Sequence, residues 1–165
     1  MQVRIILKSD LYIRSKFLQV GMKIPPEAKG ILENAYQKSY PCVLATSTKD
    51  GKPDIGIKAS MMVFDEESLA YWERTKKTHL NNIFANPNIA VICWDGQEKT
   101  GYRFFGTAEI ASDEKVRDAV RERVPENEKK LDPNKEGLAI IIKVSTVLPL
   151  GKAKQTFKPE NAPAH

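Results

Sequence analysis

Apolar and polar positions along this chain follow first a helical period and then a period of two. After Pro25-Pro26, the run EAKGILENAYQ sets Ile31, Leu32 and Ala35 on one side, which predicts a short helix opened by proline. From residue 42 the alternation is that of strands. VLATS and IGIKASMMVF flank TKDGKPD, and Asp50-Gly51 in that connection is a strong hairpin signal. The second run alternates Ile55, Ile57, Ala59, Met61 and Val63 with an outward set of Gly56, Lys58, Ser60 and Met62. Asp65-Glu66-Glu67 turns the chain into a third strand, SLAYWER. A helix follows within TKKTHLNNIFANP, with Leu80, Ile83 and Phe84 as its buried stripe and Asn86-Pro87 as its stop. NIAVICW and YRFFGTAEI are the next strands, joined by DGQEKTG. DEKVRDAVRERV then forms a charged helix with Val116, Ala119 and Val120 inward, and a mixed-charge loop over 125–136 leads to a last strand, LAIIIKVS.

Six strands, mostly hairpin-linked, with three short helices predict a mainly β, α+β fold: an antiparallel barrel with flanking helices. The chain holds no GxGxxG, GxxxxGK or GxSxG pattern, so dinucleotide-fold, Walker and serine-hydrolase readings lose their main support. At 165 residues and 41% hydrophobic it suits one globular domain, expected over 22–150. Residues 1–21, basic with scattered apolar side chains, read as an N-terminal arm of uncertain role, and 151–165 as a loose C-terminal tail.

The net charge of +5 is spread among interspersed signs, with no Lys/Arg block carrying aromatics, so nucleic acid is not favoured and the bias fits a small anionic ligand equally well. Cys42 and Cys93 each lie in an apolar run without a CxxC neighbour and are expected as buried thiols in a reducing compartment. With only His79 and His165, a histidine metal site or acid/base pair has almost no raw material, so a bound organic cofactor would have to carry any redox chemistry. No run is apolar enough to cross a membrane, and Arg4, Lys8, Asp10, Arg14 and Lys16 break the N-terminus as a signal peptide. The expected location is the cytoplasm.

The candidate chemistry lies in TKKTHLNNIFANP, where two lysines stand at the beginning of a helix. Cations suit helix C-termini, because the first turn already presents unpaired N–H groups and partial positive charge. With Thr75 or Thr78 as N-cap, dipole, ammoniums and hydroxyls converge on one volume, as in a phosphate seat. A pair of solvated lysines on a loop accounts for the same residues equally well. Lys58, Ser60 and Gly56 on the strand IGIKASMM offer a second cation and hydroxyl. If that strand lies beside the loop, Lys58 and Ser60 meet Lys77 and Thr78 around one anion.

This ordered set resembles the pyridoxamine 5'-phosphate oxidase-like family of FMN-binding split barrels. The matching features are LATSTKDGKPDI, IKASMMVF, KKTHLNNIFANPNIAV and GYRFFGTAEI, with LAIIIKVSTV also fitting. The resemblance implies a six-stranded split barrel and a homodimer with FMN at the subunit interface. By the family's pattern, Lys58, Ser60, Lys77 and Thr78 hold the phosphate, backbone atoms of Ala59 and Met61 run along the flavin edge, and Asn82 orients or caps the phosphate loop. His79 falls where some relatives carry a basic residue, and reads equally as a surface histidine. Among Trp72, Trp94, Tyr102 and Arg103, which could instead simply pack, Arg103 is the best candidate to reach a partner's flavin. The chain lacks the arginine-rich phosphate strand and C-terminal arginine motif of the vitamin-forming oxidases, which argues against pyridoxamine phosphate as substrate. The resemblance thus implies an FMN-dependent oxidoreductase of unidentified small-molecule substrate, with no catalytic residue assigned. The alternatives are a non-catalytic FMN-binding electron carrier and a cofactor-free or haem-binding split barrel.

Overall fold

The computed structural model of the chain describes residues 21–153. All but the last residue of the expected arm and nearly all of the expected tail lie outside the described residues. In chain order the elements are α1 (Pro26–Ala35), β1 (Cys42–Ser47), β2 (Pro53–Ile57), β3 (Met62–Val63), β4 (Ser68–Glu73), α2 (Thr78–Ala85), β5 (Asn88–Asp95), β6 (Thr100–Ile110), α3 (Glu114–Arg123), α4 (Glu126–Lys130) and β7 (Leu138–Gly151). The strands form one antiparallel sheet in the order β2-β1-β5-β6-β7-β4-β3. There are seven strands rather than the expected six, because IGIKASMMVF is two strands. The backbone turns over Lys58–Met61, where the Met61 N–H donates to the Lys58 carbonyl at 3.1 Å. β2 and β3 are thus consecutive in sequence yet stand at opposite ends of the sheet order.

The break also reverses the expected faces of β2. Ile55 and Ile57 are 70% and 66% exposed, while Gly56 faces α2. The reason is that α2 packs over the β1–β2 hairpin and takes the inner face that the isoleucines were expected to fill. A Cβ on Gly56 would come within 2.5 Å of the His79 Nε2, so glycine is what lets the imidazole lie against this strand. Beyond the turn the alternation lapses, and Met61, Met62 and Val63 are all buried.

The main core joins α1, through Ala28, Leu32 and Ala35, to the inner faces of the sheet at Leu44, Val91, Phe104, Ile140 and Ile142. A second cluster forms on the other face of β4, where Trp72, Ala70 and Ala139 meet Val120 and Val124 of the α3 region. Trp72 donates from Nε1 to Asp132 at 2.7 Å, and the guanidiniums of Arg117 and Arg121 lie 5.1 and 5.2 Å from its ring. β4 is consequently buried on both faces along its whole length. α4 occupies part of the expected 125–136 loop, and β7 runs well past the expected LAIIIKVS. A register shift at Phe105/Gly106 bends β6 against β7, and a Cβ on Gly106 would sit 2.0 Å from the Lys143 carbonyl oxygen.

Cys42 and Cys93 are not free thiols. They stand directly opposite each other on β1 and β5 with Cα atoms 4.5 Å apart and are joined in a disulfide. That spacing is typical of a non-hydrogen-bonded antiparallel pair, whose side chains approach most closely. Single runs of sequence could not reveal the pairing, since it depends on strand register. By loop-entropy reasoning a cross-link closing 51 residues stabilises the fold by about 4 kcal/mol.

Candidate functional site

The turn between β2 and β3, the end of β4 and the loop entering α2 meet at one place. Alternation along SLAYWE points Leu69, Tyr71 and Glu73 to the same inner face, and Glu73 is 1% exposed there. Lys58 leaves the end of β2 and turns inward to it. Its Nζ lies 2.5 Å from Glu73 Oε2 and 4.9 Å from the centre of the Tyr71 ring. The other carboxylate oxygen, Oε1, accepts from the Thr75 N–H at 3.0 Å, the Thr75 hydroxyl at 2.7 Å and the Lys76 N–H at 3.2 Å. Burial disfavours the Glu73 charge, but the bonds from Lys58 and Thr75 outweigh it and hold the carboxyl below the ordinary glutamate range. Tyr71 is shifted the other way: burial and the neighbouring Glu73 raise its phenol. Its hydroxyl has no hydrogen-bond partner among the described residues.

Glu73 therefore bends the loop back on the sheet. Lys76 sits at φ 49°, a left-handed conformation uncommon outside glycine, with its N–H fastened to the carboxylate. Neither threonine caps α2 with its side chain. Lys77 is the N-cap residue without a side-chain cap bond, Thr78 is the first helical residue, and the Thr75 hydroxyl has gone to Glu73. Lys76, Lys77 and Thr78 remain exposed around the first turn, where helix geometry leaves N–H groups without intrahelical acceptors.

One turn further on, α2 contributes a buried polar network. Asn82 Nδ2 donates to Thr46 Oγ1 at 2.9 Å, and Thr46 Oγ1 lies 3.0 Å from His79 Nδ1. Thr46 Oγ1 thus joins the Asn82 amide to the imidazole, and which of the pair donates in the Thr46–His79 bond follows the imidazole tautomer. Nε2 is 3.8 Å from Asp54 Oδ2 on β2. Burial lowers the His79 pKa, Lys58 lowers it further, and Asp54 and Glu73 offset part of the shift.

The structure thus brings Lys58 to the loop carrying Lys77 and Thr78, through Glu73. Ser60 lies elsewhere: it is 4% exposed, its Oγ accepts from the Trp72 N–H at 3.0 Å, and it fastens the β2–β3 turn to β4. Asn82 is buried against β1 rather than at the loop. Ala59 and Met61 line a cleft of about 380 Å³ with Lys58, Cys42, Tyr40 and Tyr36, within the usual range for small-molecule sites. Arg103 is placed on the outer face of β6, in one cross-strand row with Ile57, Val43, Ile92 and Leu148. Its guanidinium carbon is 6.0 Å from the centre of the Phe105 ring, and its buried Nε has no hydrogen-bond partner among the described residues.

Glu73, Thr46 and Asp54 escaped the sequence reading. A signal existed for two of them. Glu73 ends a run whose inward positions are Leu69 and Tyr71, and Thr46 shares a face with Cys42 and Leu44. A polar residue in register with buried apolar ones marks a paired internal group. Asp54, on the half-buried face beside Gly56, carried no comparable mark.

The residue pattern and the fold both find parallels. HupZ of Group A Streptococcus is 28% identical over 81% of this chain and 99% of its own, with a TM-score of 0.62. An FMN-binding protein from Syntrophomonas wolfei, at 14% identity, matches over 88% of this chain and 99% of its own with a TM-score of 0.60. HutZ, the haem storage protein of Vibrio cholerae, at 15% identity, matches over 77% and 94% with a TM-score of 0.56. The last two show likeness of fold alone. No curated protein matches the chain. The sequence matches the family described as pyridoxamine 5'-phosphate oxidase over residues 25–148, from the start of α1 into β7, and so contains every element that builds the cleft. The chain belongs to the pyridoxamine 5'-phosphate oxidase family.

Proposed function

We propose that the chain is an FMN-binding flavoprotein acting as an oxidoreductase on a small molecule other than pyridoxamine phosphate. The observation that carries this reading is the charge of the loop entering α2. Lys58, Lys76 and Lys77 bring three positive charges and Glu73 one negative, a surplus that balances the roughly two negative charges of a phosphate monoester near neutral pH. Phosphate would be held by Lys77, Thr78 and the N–H groups of the first turn of α2, beside the Lys58–Glu73 pair. The cleft lined by Ala59 and Met61 begins beside Lys58 and suits a flat ring system. When bound, the flavin supplies hydride and electron transfer, and the protein orients it and excludes water. Ser60 contributes by fixing the turn that carries Ala59, through its bond to Trp72.

A homodimer belongs to the same reading. Ile55 and Ile57 continue an outer sheet face through Val43, Ala45, Ile92 and Phe105, and a second copy is the occupant proposed for it. Contact there would cover Arg103 and direct its Nε, which has no partner among the described residues, towards an anionic or carbonyl group of the other subunit or its flavin. Haem is less well supported, because the Nδ1 of His79 is bonded to Thr46 and its Nε2 is covered by the β2 backbone at Gly56.

The test is an absorption spectrum of the purified protein and mass spectrometry of what heating releases. Isoalloxazine bands with FMN in the supernatant are expected. A colourless protein that takes up no added FMN would refute the flavin reading, and a Soret band would replace it with haem. Oxidation of reduced nicotinamide by the holoprotein separates an enzyme from an electron carrier.

A further inference from the structure

Glu73 is a buried acid inside a cluster otherwise made for an anion. Every group it holds is of the kind a phosphate seeks: one ammonium, one hydroxyl and two successive backbone N–H groups. Five other observations bear on it. Its side chain is 1% exposed, Lys58 is 10% exposed, the pair is 2.5 Å apart, Tyr71 covers the ammonium, and the loop takes an uncommon left-handed residue to reach the carboxylate. The titratable groups that face the carboxylate are Lys58 and, at longer range, Tyr71 and His79.

We propose that Glu73 is a resident anion that competes with the ligand's phosphate for Lys58 and the Thr75–Lys76 loop, so that the site holds its phosphorylated flavin exchangeably. The proposal rests on the flavin reading above and deepens it. Lys58 is compensated before any ligand arrives, and a second anion drawing on it must share it with a carboxylate of like charge. Phosphate recognition then falls to the outer groups, Lys77, Thr78 and the first turn of α2, which are exposed and screened by solvent. A site of this design discriminates only moderately between FMN and riboflavin. It suits a protein that takes up and releases its flavin, as one using flavin as a substrate or passing it to another protein would.

The competition has a direct readout in the ratio of riboflavin to FMN dissociation constants, measured by fluorescence titration of the full-length protein without any turnover. Glu73→Gln keeps the shape and the hydrogen-bond acceptor but removes the charge, and frees Lys58 for the phosphate. It should tighten FMN about tenfold relative to riboflavin. An unchanged or smaller ratio would overturn the proposal, since Glu73 would then serve to position Lys58 for the ligand. Because removing one partner of a buried pair can unfold a protein, a second variant removes both: Lys58→Met with Glu73→Leu. As the pair contributes no net charge in the wild type, this variant should keep the riboflavin-to-FMN ratio within about threefold. A tenfold fall would mean that Lys58 serves the phosphate despite Glu73, and would equally overturn the proposal. Wild-type protein that binds neither flavin refutes the flavin reading itself, whereas flavin binding with the wrong ratios refutes the competition alone.

Discussion

His79 is the residue whose surroundings most clearly dictate its protonation. Burial and the Lys58 ammonium both disfavour a second proton. The folded imidazole therefore titrates below the unfolded one, and the unfolded chain binds more protons from about pH 6.5 downwards. Stability from this source is fully present at neutral pH and is lost as pH falls through that window. Between pH 7.5 and 5.5, thermal denaturation of the wild type should show a larger loss of stability than His79→Gln, which has nothing to protonate. Equal losses would mean that His79 titrates freely in the folded protein. At this scale sequence legibility was uneven. Lys58 and the Lys76–Lys77 pair were visible as cations in unusual places, and the structure does bring the two segments together. Ser60 looked like an anion ligand because a hydroxyl on a strand gives no sign of its direction, and that direction came from a turn hidden inside an apolar run. Glu73 was readable only through its register with Leu69 and Tyr71.

At the scale of elements, long unbroken patterns were read well and interruptions were not. The helical spacing of Leu80 and Ile83, the Asp50-Gly51 hairpin and the alternations of β5 and β6 all appear where the sequence placed them, but Phe84, expected in the same buried stripe, is 71% exposed, and Asn82 is buried in that helix instead. IGIKASMMVF was misread because the alternation of apolar Ala59 and Met61 with polar Lys58 and Ser60 continues the period of two through the turn, and neither proline nor glycine marks Lys58–Met61. The physical cause of the break is long-range. Ser60 bonds the Trp72 backbone and Lys58 reaches Glu73, so β4 dictates where β2 ends. α4 was missed as a five-residue segment with no apolar stripe of its own, and its place depends on the α3–β7 connection. The disulfide joining β1 and β5 belongs to this scale too, as its formation follows from the register that sets Cys42 opposite Cys93.

For the whole molecule, the exposed face of β2 has the larger consequence. Ile55 and Ile57 on an edge strand, continued by Ile92 and Phe105 across the sheet, form an apolar surface of the kind that marks an interaction site. If two copies meet there, light scattering of the holoprotein should give about twice 18.6 kDa, and Ile57→Asp should shift it towards the monomer while leaving the fold intact, since the position is solvent-exposed in the single chain. A wild-type protein that is monomeric at all concentrations, or a dimer indifferent to Ile57→Asp, would show that this face is not the contact. Membership of the family and the antiparallel architecture were legible in the order of the motifs along the chain. The number of strands and the internal compensation of the cleft were not, because both depend on contacts between β2, β4 and the α2 loop that lie far apart in sequence.

If the start of α2 recognises the phosphate of a bound flavin, Lys77→Ala reports it most directly. Lys77 is exposed and makes no side-chain cap bond, so its loss should leave the fold unaffected. A charge-assisted contact with phosphate is worth roughly 1.5–3 kcal/mol. The dissociation constant for FMN should therefore rise about tenfold or more in Lys77→Ala, with riboflavin affinity unchanged. If both flavins weaken alike, or neither does, Lys77 does not meet the phosphate and the account of the cleft is wrong.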